Sequence, residues 1–369
     1  MEIYLYIVAA IIVFGLLLPQ HGNNKKIYIF LMAALHIFVC GFRYMYLTGD
    51  LRNYAADYYD MGNYGWLSDF VIQDGRNTGF FVLMKLLSGI SNGNFQVFLF
   101  AIALVIEIAV AVLIYKYSPI PWCSYLVWNC LGFYVFGFSA IKQALAMAIV
   151  IWSFVYIVEE KPGKFVLLIL LAGTIHMPAL VLLPAYWLAQ RKINSMTIMS
   201  YIVAGILVYL LRNQIVNIIG NIYYEDEEFV LNSSDLGGRF FMIVLILLCG
   251  IILKGFKERN FSKLFNIIAV AAIFQMLSGF DNIFTRLTDY YFQFSILYIP
   301  MLFTSYTENT AINPSGEKAA LPFNDRSLKL MLLVVTVVLI WFYYRYNIGA
   351  GVAIAVDDYT NYRFMWDVK

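Results

Sequence analysis

Charge is scarce in this sequence. Only 13% of its 369 residues are Asp, Glu, Lys or Arg, against about a quarter in soluble domains, which excludes an ordinary water-soluble fold. No cluster of basic residues with interleaved aromatics is present, so nucleic acid is not an expected partner; the net charge of +2 decides nothing on that point. Cysteine is scarce too. Cys40, Cys123, Cys130 and Cys249 all fall in apolar stretches without metal-ligand spacing, and they read as small core residues, so no metal site is expected. Internal repeats and low-complexity tails are missing. The first apolar run, Ile3–Leu18, has neither a basic n-region nor a small-residue cleavage site, and is expected to stay as a span.

What the chain has instead is apolar length. It is 62% hydrophobic with a mean hydropathy of +0.74, and runs that approach or reach membrane-spanning length recur from end to end. The expected fold class is an all-α polytopic integral membrane protein, one domain over residues 1–369, with large extracytoplasmic loops. About ten transmembrane helices and one or two short re-entrant or interfacial helices are expected from run length. The predicted spans are Ile3–Leu18, Ile27–Phe42, Phe95–Tyr115, Pro121–Phe136, Ile141–Val158, Ile198–Leu211, Phe240–Leu253, Leu264–Gly279, Tyr290–Ser305 and Leu328–Tyr344. Phe80–Ile90 is too short to cross comfortably. Phe165–Ala189 is interrupted by His176-Met177-Pro178, and proline removes an N–H and kinks or breaks a helix. A hairpin of two half-helices fits this segment as well as one kinked span. Aromatic residues make up 18%, and the rings suit either interfacial belts and core or a path for sugar or lipid.

Taking Phe80–Ile90 and Phe165–Ala189 as non-crossing gives one consistent sidedness. Lys25, Lys26, Lys116, Lys161, Lys164, Arg191, Lys192 and the cluster Lys254–Lys263 then fall on cytoplasmic links, as the positive-inside rule requires. The loop 43–78, the loop with Glu225–Glu228, the Gly279–Asp289 loop and the tail 347–369 fall outside. Arg43, Arg52, Arg76, Lys142, Arg239, Arg286 and Arg363 are exceptions that stay on or near the outer face. One such arginine reads as a side chain snorkelling at its helix end. The set points to an anionic ligand, because guanidinium forks match phosphate oxygens.

Short motifs accompany these cations. Arg43, Gly49, Asp50 and Tyr54 form R-x5-G-D-x3-Y, with Asp50 placed to cap a helix that starts after Gly49 and Asp57 on the face of Tyr54. A capped amphipathic surface helix explains the same residues. Arg76-Asn77-x-Gly79-Phe80 opens the short apolar segment, and Lys142-Gln143-x-x-Ala146 opens the span Ile141–Val158. A cation at a helix N-terminus opposes the macrodipole, so helix design does not account for Lys142. His176 reads either as a satisfied core histidine or, at a break facing a cavity, as a general base. Arg286 with Tyr290 and Tyr291 puts another cation at an expected helix start, and Tyr362-Arg363-Phe364 lies in an aromatic tail suited to folding over the outer face.

Arg43…Gly49-Asp50…Tyr54, Lys142-Gln143-x-x-Ala146, Ala172…His176-x-x-Ala179 and Arg286…Tyr290, in that order over nearly the whole chain, resemble the EpsG/Wzy-type polysaccharide polymerase family. The resemblance implies a multi-pass glycosyltransferase of the bacterial cytoplasmic (inner) membrane with an outward-facing site. Its substrate would be an oligosaccharide repeat unit on undecaprenyl diphosphate. The growing glycan would move from its lipid diphosphate to the incoming unit, without nucleotide sugar, metal or other cofactor. Membrane lipid, a chain-length regulator and a flippase would be its partners. In this scheme Arg43, Lys142, Arg239 and Arg286 neutralise the diphosphate, and His176 or Asp50 takes the acceptor proton. Tyr54, Gln143, Tyr290 and, more loosely, Arg76 bind substrate. Two positions depart from the family pattern. Lys142 stands where arginine is usual, which loses the bidentate fork, and Asn77 stands where an acid is common, which excludes a catalytic carboxylate there. Two other classes compete: a transporter or flippase of the same lipid-linked glycan, and a membrane acyltransferase with His176 as base.

Overall fold

The computed structural model describes residues 2–61, 63, 77–223, 236–254, 256, 258–304, 326–344 and 362–367. Arg76, Asp69, Asp74, the Glu225–Glu228 loop and residues 345–361 of the tail lie outside the described residues. In chain order the helices are α1 (Glu2–Leu17), α2 (Gly22–Gly41), α3 (Gly49–Asp60), α4 (Thr78–Ile90), α5 (Phe95–Tyr117), α6 (Pro121–Cys130), α7 (Ile141–Val158), α8 (Pro162–Ile175), α9 (Ala185–Ala189), α10 (Ser195–Leu210), α11 (Arg212–Tyr223), α12 (Gly237–Lys254), α13 (Arg259–Gln275), α14 (Asn282–Phe292), α15 (Ser295–Leu302) and α16 (Arg326–Phe342). Single 3-10 turns lie at Tyr134–Phe138 and Met177–Leu182. Four of these helices, α2, α5, α7 and α12, are long and apolar enough to cross a membrane, and the bent pair α10–α11 makes a fifth if it counts as one span. This fits an α-helical polytopic membrane protein. Large apolar side chains such as Leu210, Leu245, Ile252 and Leu333 stand exposed on α10, α12 and α16, a surface that suits hydrocarbon rather than water.

Local chemistry explains where the elements stop and start. Proline opens α6 and α8, where its missing N–H costs nothing and its φ is already helical. Asn94 caps α5, Asn194 caps α10 and Asp281 caps α14, each accepting from a first-turn N–H. Four expectations need correction. Tyr290–Ser305 is not one helix but is divided between α14 and α15. Thr48, not Asp50, caps α3: its backbone is extended and its hydroxyl accepts from Leu51 N–H, so Asp50 sits inside the first turn. The run Pro121–Phe136 is not one helix, because α6 ends at Cys130 and Gly132 takes φ 87°, a left-handed turn that glycine adopts freely. Arg286 does not start a helix; α14 begins at Asn282, placing Arg286 within it.

Two segments turn back instead of running on. α4 has 13 residues, about 20 Å of helix against a hydrocarbon core of about 30 Å. Both its ends lie beside α3, with Phe80 5.6 Å from the Tyr54 ring and Ser91 Oγ 2.8 Å from Tyr58 Oη. After it, the Gln96 amide donates to the carbonyls of Gly41 (2.7 Å) and Arg43 (3.1 Å), fastening the start of α5 to the end of α2. The second segment is the hairpin Pro162–Gln190. α8 leaves the end of α7, His176 goes extended (φ −149°, ψ 103°), and Pro178 lies in the first turn of the following 3-10 helix. The Gln190 amide then donates to Ile157 O at 2.8 Å, so the chain comes back to the end of α7 it had just left. Of the two forms open for this segment, the hairpin is the one adopted.

The two ends of the bundle differ. At one end Lys25 donates to Ser118 O (3.1 Å), the Lys116 ammonium lies 5.7 Å over Trp152, and Lys263 donates to Ile157 O (2.8 Å) and lies 3.5 Å from Glu160. These contacts gather the basic links. At the other end lie the close of α2, the starts of α5 and α7, the α3–α4 layer and the tip of the hairpin. α4 and the hairpin meet there at Gly79, where an added Cβ would fall 2.3 Å from Thr174 Oγ1 and 2.8 Å from its Cβ. Gly79→Ala is therefore expected to destabilise by about 1–3 kcal/mol through overpacking, read as a lowered unfolding midpoint of the detergent-solubilised protein.

Candidate active site

At the end opposite the basic links, side chains far apart in sequence converge around Lys142. Its ammonium lies 4.9 Å from the Phe81 ring, 5.4 Å from Phe80 and 5.6 Å from Tyr54. A cation held against ring faces gains about 0.5–2 kcal/mol per favourable contact. That offsets its unfavourable place at the N-terminus of α7 and explains how a lysine can stand there. Tyr54 and the carboxylates around it come from α3, whose roll is fixed by Tyr58: this ring packs on Phe95 and Phe98 at 5.4 and 5.0 Å, and its hydroxyl meets Ser91. With Leu51, Ala55 and Tyr58 buried, the stripe Asp50, Tyr54, Asp57 at i, i+4 and i+7 is left to face Lys142.

His176 is held by α14. Its Nδ1 lies 2.7 Å from Tyr290 Oη, and Tyr291 Oη donates to Val181 O at 2.6 Å, so two consecutive tyrosines pin the hairpin tip. Burial of the imidazole opposes a positive charge there most strongly, and the Arg286 and Lys142 charges oppose it further. Arg286 also acts on the Tyr54 hydroxyl. One turn along α14 from Arg286, Asp289 forms an ion pair with Arg239 of α12, whose guanidinium lies 5.2 Å over Phe292. Asp289 is 1% exposed.

Burial sets the protonation behaviour of the α3 groups. It pushes the Tyr54 hydroxyl up, with Asp50 and Asp57 adding to the effect and Arg286 opposing it. Burial likewise raises Asp57 above the ordinary carboxylate range, more than the adjacent Lys142 charge lowers it. The cluster thus offers cations, ring faces and carboxylates that are neither fully wet nor fully buried, as charge-separating chemistry on a lipid-borne polar group requires.

The expected site residues divide accordingly. Tyr54, Lys142, His176, Arg286 and Tyr290 come together, Asp50 joins them through Tyr54, and Arg239 joins through Asp289. Arg43 lies elsewhere. It is fully buried, donates to Cys40 O, approaches Cys40 Sγ at 3.3 Å and lies 5.8 Å over Phe138. The tail covers it: Arg43 pairs with Phe364 in an antiparallel bridge, flanked by Tyr44 N–H to Arg363 O at 2.8 Å and Met365 N–H to Phe42 O at 2.9 Å. Gln143 packs down α7, its amide 3.8 Å from Met147 Sδ. Arg52 is exposed and reaches Tyr46 O.

Sequence reasoning left out Asp57, Asp289 and Phe81 as site residues, although the i+3 spacing of Asp57 from Tyr54 marked its face. It also passed over Glu107, a carboxyl in the middle of the longest apolar helix, 1% exposed beside Trp128, Tyr125 and Tyr134. A charge at that depth is the signal that should have singled it out.

A family model described as the EpsG family matches residues 26–313 of the chain. No curated protein matches it, and no solved structure does.

Proposed function

The chain belongs to the EpsG family, and from that premise, which points to a polysaccharide polymerase, we propose that it is a membrane glycosyltransferase extending a glycan carried on a lipid diphosphate. The carrier is undecaprenyl diphosphate, the membrane is the bacterial cytoplasmic membrane, crossed several times, and the site faces outward. A hydroxyl oxygen of the incoming unit's non-reducing-end sugar attacks the anomeric carbon of the growing glycan. The bond from that carbon to the diphosphate oxygen breaks, the diphosphate leaves with the electron pair, and the hydroxyl proton passes to a side chain of the cluster. Lys142 and Arg286 stabilise the charge that develops on the leaving diphosphate. Arg239, oriented by Asp289, adds a fork for its outer oxygens. Phe80, Phe81 and Tyr54 hold the Lys142 ammonium in place for that role.

One observation carries this reading. His176 meets the Tyr290 hydroxyl of α14 and lies within the fields of both Lys142 and Arg286, so groups from three separate segments gather at the end of the bundle away from the basic links. The test is a polymerisation assay on purified protein with lipid-diphosphate-linked repeat units. Wild type is expected to give ladders of multi-repeat product and His176→Ala to lose them while remaining folded. If wild type only moves units between leaflets, without extension, the protein is a transporter and the cluster a binding path.

A further inference from the structure

The family resemblance implies that Tyr290 binds substrate, but its surroundings fit another task. Its side chain is 0% exposed and offers no surface to a sugar or a diphosphate. Its hydroxyl instead lies 2.7 Å from His176 Nδ1, with the two rings side by side, their centroids 6.1 Å and their planes 28° apart. The histidine backbone is fixed independently. Its N–H donates to Ala172 O and its carbonyl accepts from Ala179 N–H, both at 2.9 Å. Only the side-chain torsions of His176 remain to be set, and Tyr290 is the contact that sets them. The other ring nitrogen, Nε2, has no hydrogen-bond partner among the described residues.

Resting on the polymerase reading, with His176 as the base, we infer that Tyr290 is a positioning residue that keeps the ring hydrogen of His176 on Nδ1 and presents Nε2 to the attacking sugar hydroxyl. A neutral imidazole carries one N–H, and the bond made by one nitrogen decides the state of the other. With Nδ1–H donating to Tyr290 Oη, the lone pair stands on Nε2. When the sugar oxygen bonds to the anomeric carbon, its proton passes to Nε2 and the diphosphate leaves with the electron pair; the imidazolium then releases the proton to water. As the ring gains charge, the bond from Nδ1–H to Oη becomes charge-assisted and strengthens. Burial of the ring opposes the imidazolium most, with Arg286 and Lys142 adding to it. A bound diphosphate offsets the two cations, and Tyr290 works against the remaining cost of burial.

Two features of the chain make this testable. Tyr291 also ties α14 to the hairpin, donating to Val181 O at 2.6 Å, but its bond ends on a backbone carbonyl instead of the imidazole. It separates support of the hairpin from control of the ring. The sequence also holds only three histidines, so their hydrogens can be located by nitrogen NMR of histidine-labelled protein. His36 is the internal reference. Its Nδ1 lies 2.6 Å from Met32 O, an atom that only accepts, and the Asn129 amide donates to its Nε2 at 2.8 Å, which fixes its hydrogen on Nδ1.

The experiment compares wild type, Tyr290→Phe, Tyr291→Phe and His176→Ala in extension of lipid-diphosphate-linked repeat units, thermal unfolding and NMR, the His176→Ala spectrum identifying the His176 signals. In wild type the His176 hydrogen is expected on Nδ1, as in His36. Tyr290→Phe should lower turnover by about 10–100-fold, part of what a general base supplies, with KM within about twofold of wild type and the hydrogen moved in part to Nε2. Tyr291→Phe should lower the unfolding midpoint and leave turnover and the His176 signals unchanged. A wild-type hydrogen on Nε2 overturns the inference, and because that spectrum needs no variant it decides even if Tyr290→Phe unfolds. Turnover of Tyr290→Phe within about threefold of wild type also overturns it, as does an equal loss in Tyr291→Phe, which would make both tyrosines props of the hairpin. These results leave the polymerase reading standing. A wild type that extends nothing overturns that reading and the inference with it.

Discussion

Lys142→Met is expected to lower the rate of glycan extension by about 10²–10³-fold, the loss found when one preorganised donor is removed from a developing anion. Methionine keeps the length and apolar stem of lysine, so it fills the same box of Phe80, Phe81 and Tyr54 and isolates the charge. Stability should barely move, because two effects oppose each other. The substitution removes a cation from a helix N-terminus, a gain of about 0.3–1 kcal/mol, and forfeits ring contacts of about 0.5–2 kcal/mol. Turnover and KM for repeat units, with the unfolding midpoint as control, separate these. Lys142→Arg is the complementary variant. Arginine is usual at this position of the motif, stacks flat on rings and offers two parallel donors, so it should extend glycan at least as fast as wild type. Equal activity in Lys142→Met and wild type would remove Lys142 from the chemistry and leave it a structural cation.

How far this site could be read from the sequence depends on the distance over which each signal acts. The helical membrane class follows from apolar run length and needed no tertiary knowledge. The break at His176-Met177-Pro178 was equally local, since proline cannot continue the ladder. Its consequence was not local: hairpin and kinked span share a sequence pattern, and the choice rests on Gln190 reaching Ile157. Thr48 and Asp50 are both good capping types two residues apart, and only the extended backbone at Thr48 decides between them. Arg43 shows the limit most clearly. Its charge and helix-end position resemble those of Lys142, but residues 362–365, more than three hundred positions later, fold across it. No pattern near Arg43 encodes that cover. Asp289 was hidden for the reverse reason, because its role depends wholly on Arg239 arriving from another helix.

Arg239→Ala is expected to destabilise the protein by about 3–5 kcal/mol, the cost of leaving a buried charge without its partner. Asp289 is 1% exposed and its Oδ2 has no hydrogen-bond partner among the described residues, so its ion pair with Arg239 is the main contact that makes its burial tolerable. Asp289→Asn should cost less, since it leaves Arg239 about one-fifth exposed and able to find water. The double variant Arg239→Met/Asp289→Leu is the informative one. Replacing both partners by apolar groups of similar volume commonly leaves stability unchanged or raises it, so the double variant should unfold near the wild-type midpoint although Arg239→Ala alone does not. If the pair existed only to join α12 to α14, that variant would also polymerise. If Arg239 is a diphosphate ligand aimed by Asp289, it folds and extends nothing, with a raised KM for the lipid-linked unit. A stable, fully active double variant would therefore take Arg239 out of the site, while a stable, inactive one would show that a buried ion pair, costly to desolvate and replaceable for folding, is kept for what its outward-facing guanidinium binds.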